Sequence, residues 1–204
     1  MNEIKKLSDL DHNQVNQAIN VFVEGFYNIF SSITKDKEKL HKIFKHSFDY
    51  SMTYAYLQNG EAIGFMGIRV CEKHPIKLNK EVFIKSIDGL GGKFAYKITN
   101  AALEKVTPAK LNETYIDYLT TAPGHRGKGI GTKLIEYACD YSKSDYLMLE
   151  VFSKNTDAKK LYERLGFEVI KVRTNVMMLL QGFGRPITMR MSNKQRDLAE
   201  AITK

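Results

Sequence analysis

The chain has 204 residues, 43% of them hydrophobic, a formal net charge of +8 and two cysteines. That length fits one sizeable domain with its own core, and no apolar run approaches the roughly 20 residues that span a bilayer. The opening MNEIKKLSDLDHN lacks the apolar centre of a signal peptide, so a cytoplasmic location is the expectation, with Cys71 and Cys139 as reduced, structural thiols in no metal-like spacing.

Asn2 to Leu7 reads as a first strand anchored by Ile4 and Leu7. Asp9 or Asp11 then offers an N-cap, and Val15, Ala18, Ile19, Phe22, Val23 and Phe26 recur at helical spacing. The aromatic stripe Phe22, Phe26, Tyr27 and Phe30 reads first as core. Lys35 to His46 follows as a second helix with Leu40, Ile43 and Phe44 inward. Ser51–Leu57 and Ala62–Val70 flank Asn59-Gly60, the strongest short-range hairpin signal, and Gly64 and Gly67 within the second strand imply a bulge or a close backbone approach.

Between Cys71 and Asn112 about forty residues intervene before the next strand. They hold a glycine cluster, Gly89, Gly91 and Gly92, and a predicted helix from Phe94 to Val106 closed by Pro108. Connections this long carry function or their own structure. The segment reads either as a lid hinged at those glycines or as a surface elaboration or dimer contact.

The stretch Tyr115–Tyr141, YIDYLTTAPGHRGKGIGTKLIEYACDY, runs from strand through glycine loop to helix. The first amides of a helix lack intrahelical partners and carry the positive end of its dipole, so such a loop is an anion seat. A Walker loop is excluded because Gly127-Lys128 is followed by Gly129, and the dinucleotide fingerprint is excluded because Gly127, Gly129 and Gly131 alternate with Leu134 where its last glycine belongs. What remains is Arg126-x-x-Gly129-x-Gly131. A second block follows the strand Tyr146–Val151: Asn155-x-x-Ala158-x-x-x-Tyr162, then Leu165-Gly166-Phe167. Together, in this order, they resemble motifs A and B of the GNAT N-acetyltransferases, closely from Thr114 to Val172 and by layout upstream.

The resemblance implies a single α/β domain over 1–204 of the acyl-CoA N-acyltransferase type, with the insertion at about 71–112. Its sheet is mixed and mostly antiparallel, splayed at the middle strands and flanked by helices. It implies acetyl-CoA as co-substrate, its pyrophosphate on the amides of Arg126, Gly127, Lys128, Gly129, Ile130, Gly131 and Thr132. Pantetheine would pair with Leu119, Thr120 and Thr121, the last also placing an oxyanion donor, and would meet Asn155 and Ala158. Tyr162 is implied as the acid for the departing thiolate. Asp117 is implied as general base directly or through water, its short side chain favouring a water relay, with a structural hydrogen bond or a clamp for a cationic amine as its other reading. In the same family the amino-terminal helices wall the acceptor pocket.

Beyond the motif blocks, Glu168–Arg173 and Ile187–Met191 read as closing strands, and Ser192 as the cap of a terminal helix through Ile202. The histidines form no metal-ligand spacing, so no metal is expected. The basic excess has no consecutive run and no nucleic-acid motif, which favours a solvated surface over a nucleic-acid partner. The expectation is acetyl transfer to a primary amine, an unidentified and small acceptor, with a non-catalytic acyl-CoA sensor or scaffold as the rival reading and a homodimer left open.

Overall fold

The computed structural model describes residues 2–71, 73–87, 91–104 and 109–193. Strand β1 (Asn2–Lys6) pairs antiparallel with β2 (Thr53–Gln58), and between them lie α1 (His12–Phe30) and α2 (Lys37–Lys45). Asp11 and Gln14 form a capping box at the start of α1: the Asp11 carboxylate accepts the Gln14 N–H at 2.8 Å, and the Gln14 side chain accepts the Asp11 N–H at 3.4 Å. Asp36 caps α2 by accepting from the amides of Glu38 and Lys39.

The turn into β3 (Glu61–Val70) uses Asn59 and Gly60 at φ 52° and 84°, the left-handed pair that a two-residue hairpin demands. Strand β3 is buried along nearly its whole length because helices cover both faces. On one face Phe22 of α1 centres an aromatic cluster, with the rings of Phe26, Phe30, Phe44, Phe48, Phe65 and Tyr118 at 4.7–5.6 Å. Phe22 and Phe30 are core, as read from their spacing, while Phe26 and Tyr27 are half-buried at its margin.

The insertion is more structured than its sequence indicates. It folds as α3 (Lys80–Ser86) and α4 (Gly91–Glu104), the first capped by Asn79 and missing from the sequence reading. Phe83 of α3 is wholly buried in the α1–α2 core, and its ring meets Tyr96 of α4 at 5.6 Å. Gly91 and Gly92 are the first turn of α4, so the expected hinge does not sit there. A Cβ on Gly92 would lie 2.7 Å from the Ile87 carbonyl oxygen, which is why a glycine occupies that turn. Gly89, Pro108 and the terminal helix beyond Asn193 lie outside the described residues.

The chain then forms β4 (Glu113–Thr121), α5 (Ile130–Ser142), β5 (Tyr146–Phe152), α6 (Thr156–Arg164), β6 (Glu168–Val172), a short α7 (Val176–Leu180) and β7 (Pro186–Ser192). The sheet order is β1-β2-β3-β4-β5-β7-β6, and every pairing is antiparallel except β4 with β5. Ser192 ends β7. Helices α5 and α6 cover the second face, over a core of Ile68, Ile116, Leu134, Leu149 and Val151. Gly64 lets α5 come close: a Cβ there would stand 2.8 Å from Ile130 and 3.2 Å from Leu134. Cys139 is buried in this core, as expected of a structural thiol. Among the described residues no helix is long and apolar enough to cross a membrane.

Candidate active site

The site begins where two central strands part. β4 and β5 are registered from Glu113↔Tyr146 to Ile116↔Leu149 and no further. β4 nevertheless runs on beside β3 to Thr121, and β5 beside β7 to Phe152. Asp117–Thr121 and Glu150–Phe152 therefore face one another across a gap, each segment paired only on its outer side, to β3 and to β7. Such edges accept an extended amide chain as an added strand.

Above that gap lies the glycine loop. A 3-10 turn at Pro123–His125 carries the chain off β4, and the Arg126 Nε–H donates to the Thr121 carbonyl at 3.4 Å. Gly127 and Gly129 take φ 75° and 78°, a region that a side chain disfavours, and Gly129 is the N-cap of α5. A Cβ on either would meet open space, so conformation rather than crowding selects these glycines. Gly131 is different: it is helical, and a Cβ there would make ordinary contact with Leu161 of α6 at 3.4 Å, so neither conformation nor crowding demands a glycine. The first helical bond runs from the Lys133 N–H to the Gly129 carbonyl at 3.1 Å, which leaves the amides of Ile130, Gly131 and Thr132 without intrahelical acceptors. No acidic side chain occupies this first turn. His125 beside it buries its Nδ1 without a partner among the described residues.

Tyr162 approaches from the other side. The Asn155 Oδ1 accepts the Ala158 N–H at 3.3 Å and so caps α6, while Gly166 at φ 89° ends the turn beyond it. Tyr162 is buried in the α5–α6 core with Ile130 of α5 and Val151 of β5, and its ring meets Phe167 at 5.8 Å. Burial pushes its phenol up to about 12, so it is protonated throughout the neutral range.

Asp117 sits on the opposite face. Gly67 pairs with Tyr118 but Ile68 pairs with Ile116, so Asp117 is the extra residue of a β-bulge immediately past the last β4–β5 pair. Ile68 and Ile116 point into the α5–α6 core, which sends their neighbours Arg69 and Tyr115 to the other face. There the Arg69 Nε–H reaches both carboxylate oxygens of Asp117, at 2.9 and 3.1 Å. The Asp117 carboxyl is held above the ordinary aspartate range by burial, against the lowering pull of Arg69.

Three participants escaped the sequence reading. Arg69 is 1% exposed and follows the apolar run Ala62–Ile68 of β3, and a charge at the end of such a run was itself the signal that a buried partner exists. Glu150 is the first β5 residue past the final β4–β5 pair, on the edge facing Asp117 across the gap, and Arg173 just beyond β6 forms an ion pair with it. Among the described residues no cluster of three His, Cys, Asp or Glu side chains is poised for a metal.

Comparison with known proteins gives the family and the fold. Residues 17–167 match the acetyltransferase (GNAT) family. Streptothricin acetyltransferase of Streptomyces lavendulae is 44% identical over 55 residues, 26% of this chain and 29% of that protein. An uncharacterised N-acetyltransferase of Methanocaldococcus jannaschii is 39% identical over 69 residues, 32% of this chain and 28% of its own length. The chain thus spans less than a third of the curated relatives it matches. An N-acetyltransferase of Staphylococcus aureus Mu50 shares the fold at TM-score 0.58 and 16% identity, covering 93% of this chain and all of that one. A family match over well more than half of the residues, on a sheet that opens beside a glycine-led helix, has one meaning: the chain belongs to the GNAT family of acetyltransferases.

Proposed function

We propose that this protein transfers an acetyl group from acetyl-CoA directly to a primary amine of a small acceptor. The observation that carries the reading is the opening of β4 from β5 past Ile116↔Leu149, set between the free amides of α5 and the buried phenol of Tyr162. The residues suit the co-substrate: three unshared helix amides with Lys128 and Arg126 nearby match a diphosphate, and the parted strand edges match the amides of a pantetheine arm. Bound acetyl-CoA supplies the activated acyl group and a thiolate to expel.

In this reading Arg126 to Thr132 hold the diphosphate, and the β4 edge at Leu119, Thr120 and Thr121 aligns the arm, with a backbone N–H near Thr121 facing the carbonyl oxygen as it gains charge. Asn155 and Ala158 at the start of α6 flank the arm. Asp117 takes the proton of the incoming ammonium through water, its proton affinity raised by burial against the pull of Arg69. Glu150 is exposed on the facing edge and is the second candidate for that role. As the N–C bond forms and the C–S bond breaks, Tyr162 gives its proton to the sulfur, the acylated nitrogen releases its surplus proton to water, and the phenolate of Tyr162 is reprotonated from solvent.

The grip of Arg69 on Asp117 also fits a protein that binds acyl-CoA without turnover. Thiol release from acetyl-CoA separates the two, measured with streptothricin, spermidine, lysine and an alanine-led peptide as acceptors. Turnover with at least one amine is expected. Tight acetyl-CoA binding with no release above the solvent rate for any of them would replace the enzyme with the sensor.

A further inference from the structure

Arg69 is the largest fully buried side chain among the described residues, and it is a cation. A buried cation is costly unless a partner and close packing compensate it. Its guanidinium carbon lies 4.1 Å from the centre of the Tyr115 ring, and its Nε bonds both oxygens of Asp117. The residue it grips is the surplus residue of the bulge, directly after the point where β4 and β5 stop pairing. A bulge re-aims a side chain and ends a ladder locally.

We propose that Arg69 is a positioning residue of the acyl-transfer site: by gripping Asp117 at the bulge it aims that carboxylate at the acceptor face and fixes where the sheet opens for the acyl carrier. The first half rests on the assignment of Asp117 as proton acceptor; the second does not. Sequence position contributes nothing here, since Arg69 lies 48 residues from Asp117. The groups facing Asp117 are Arg69 from β3, His74 from the connection after β3, and Tyr115 and Tyr118 from β4 itself. Of these only Arg69 is a permanent cation, and its removal leaves burial opposed by His74 alone and moves the carboxyl further up.

The test uses Arg69→Met, Arg69→Lys, Asp117→Asn and the double variant Arg69→Met/Asp117→Asn in the full chain. The readouts are acetyl-CoA calorimetry, thermal unfolding, and the pH profile of thiol release with streptothricin, spermidine and lysine. Arg69→Met is expected to cut turnover about 100-fold and to shift the acid limb upward by about one pH unit or more. It should also weaken acetyl-CoA binding at least about fivefold, a change of about 1 kcal/mol. Arg69→Lys, which keeps the charge but not the Nε geometry, should hold the limb near wild type and recover part of the turnover. If Arg69→Met does not fold, the double variant, which removes both charges, supplies the folded protein for calorimetry. Wild-type affinity together with an unshifted limb in folded Arg69→Met would overturn the proposal, as would wild-type affinity in the double variant if only that one folds. Full turnover in Asp117→Asn would instead remove the assignment of Asp117 and leave the claim about the sheet opening to the calorimetry.

Discussion

At the residue scale the two groups proposed to handle protons, Tyr162 and Asp117, differ in how the protein treats their charge. Tyr162 is kept neutral by burial alone, and its hydroxyl has no hydrogen-bond partner among the described residues. Tyr162→Phe should therefore fold with wild-type stability to within about 1 kcal/mol, keep acetyl-CoA affinity within about twofold, and lose about 100-fold or more in kcat. Undiminished turnover would refute its role as the acid. The phenol also sets a sign for stability. Its affinity for the proton is raised from 10.0 in the unfolded chain to about 12 in the fold, so its contribution is intact below pH 10 and is lost as pH rises from 10 to 12. Denaturant midpoints followed from pH 9 to 11.5 should fall less in Tyr162→Phe than in the wild type. An equal fall in both would mean that the phenol ionises as freely in the fold as out of it.

At the scale of elements, the glycine loop divides into two kinds of glycine. Gly129→Ala forces a side chain into the left-handed region and should cost about 1–2 kcal/mol in thermal unfolding while weakening acetyl-CoA in calorimetry. Gly131→Ala adds a methyl in ordinary contact with Leu161 at a helical position, and should be neutral or slightly stabilising. Equal destabilisation by both would contradict the conformational reading of Gly129. These motifs were legible because their determinants are local: a positive-φ cap, an Asn at the start of a helix, a tyrosine seven residues later. The Asn59-Gly60 hairpin and the Asp11 cap were legible for the same reason. What escaped the sequence depends on register between distant segments. The bulge at Asp117 exists only relative to Gly67 and Ile68, and the grip of Arg69 only once β3 and β4 are aligned. Helix α3 spans seven residues, too short to declare a period, and it is held by burying Phe83 in a core that other elements supply. Gly91 and Gly92 read as hinges because glycine disfavours helix, yet close packing against Ile87 requires one at the start of α4.

At the scale of the molecule, one sheet separates two cores and opens between them. The first part of the insertion belongs to the α1–α2 core, in which Ile76, Leu78 and Phe83 are buried. Phe83→Ala should lower global stability by about 3–5 kcal/mol in urea denaturation, as a core truncation does. A loss under about 1 kcal/mol would mark the segment as an appendage. The formal charge of +8 has no concentrated basic run, and it suits attraction of a polyanionic co-substrate across the whole surface. If the opening between β4 and β5 seats the acyl carrier, a crystal structure of the acetyl-CoA complex will show it there. The diphosphate should lie on the amides of Ile130, Gly131 and Thr132, the pantetheine amides on the free edge of Leu119–Thr121, and the sulfur within about 3.5 Å of the Tyr162 hydroxyl. A carrier bound elsewhere, or a gap closed by β4 pairing with β5 beyond Ile116, would contradict it.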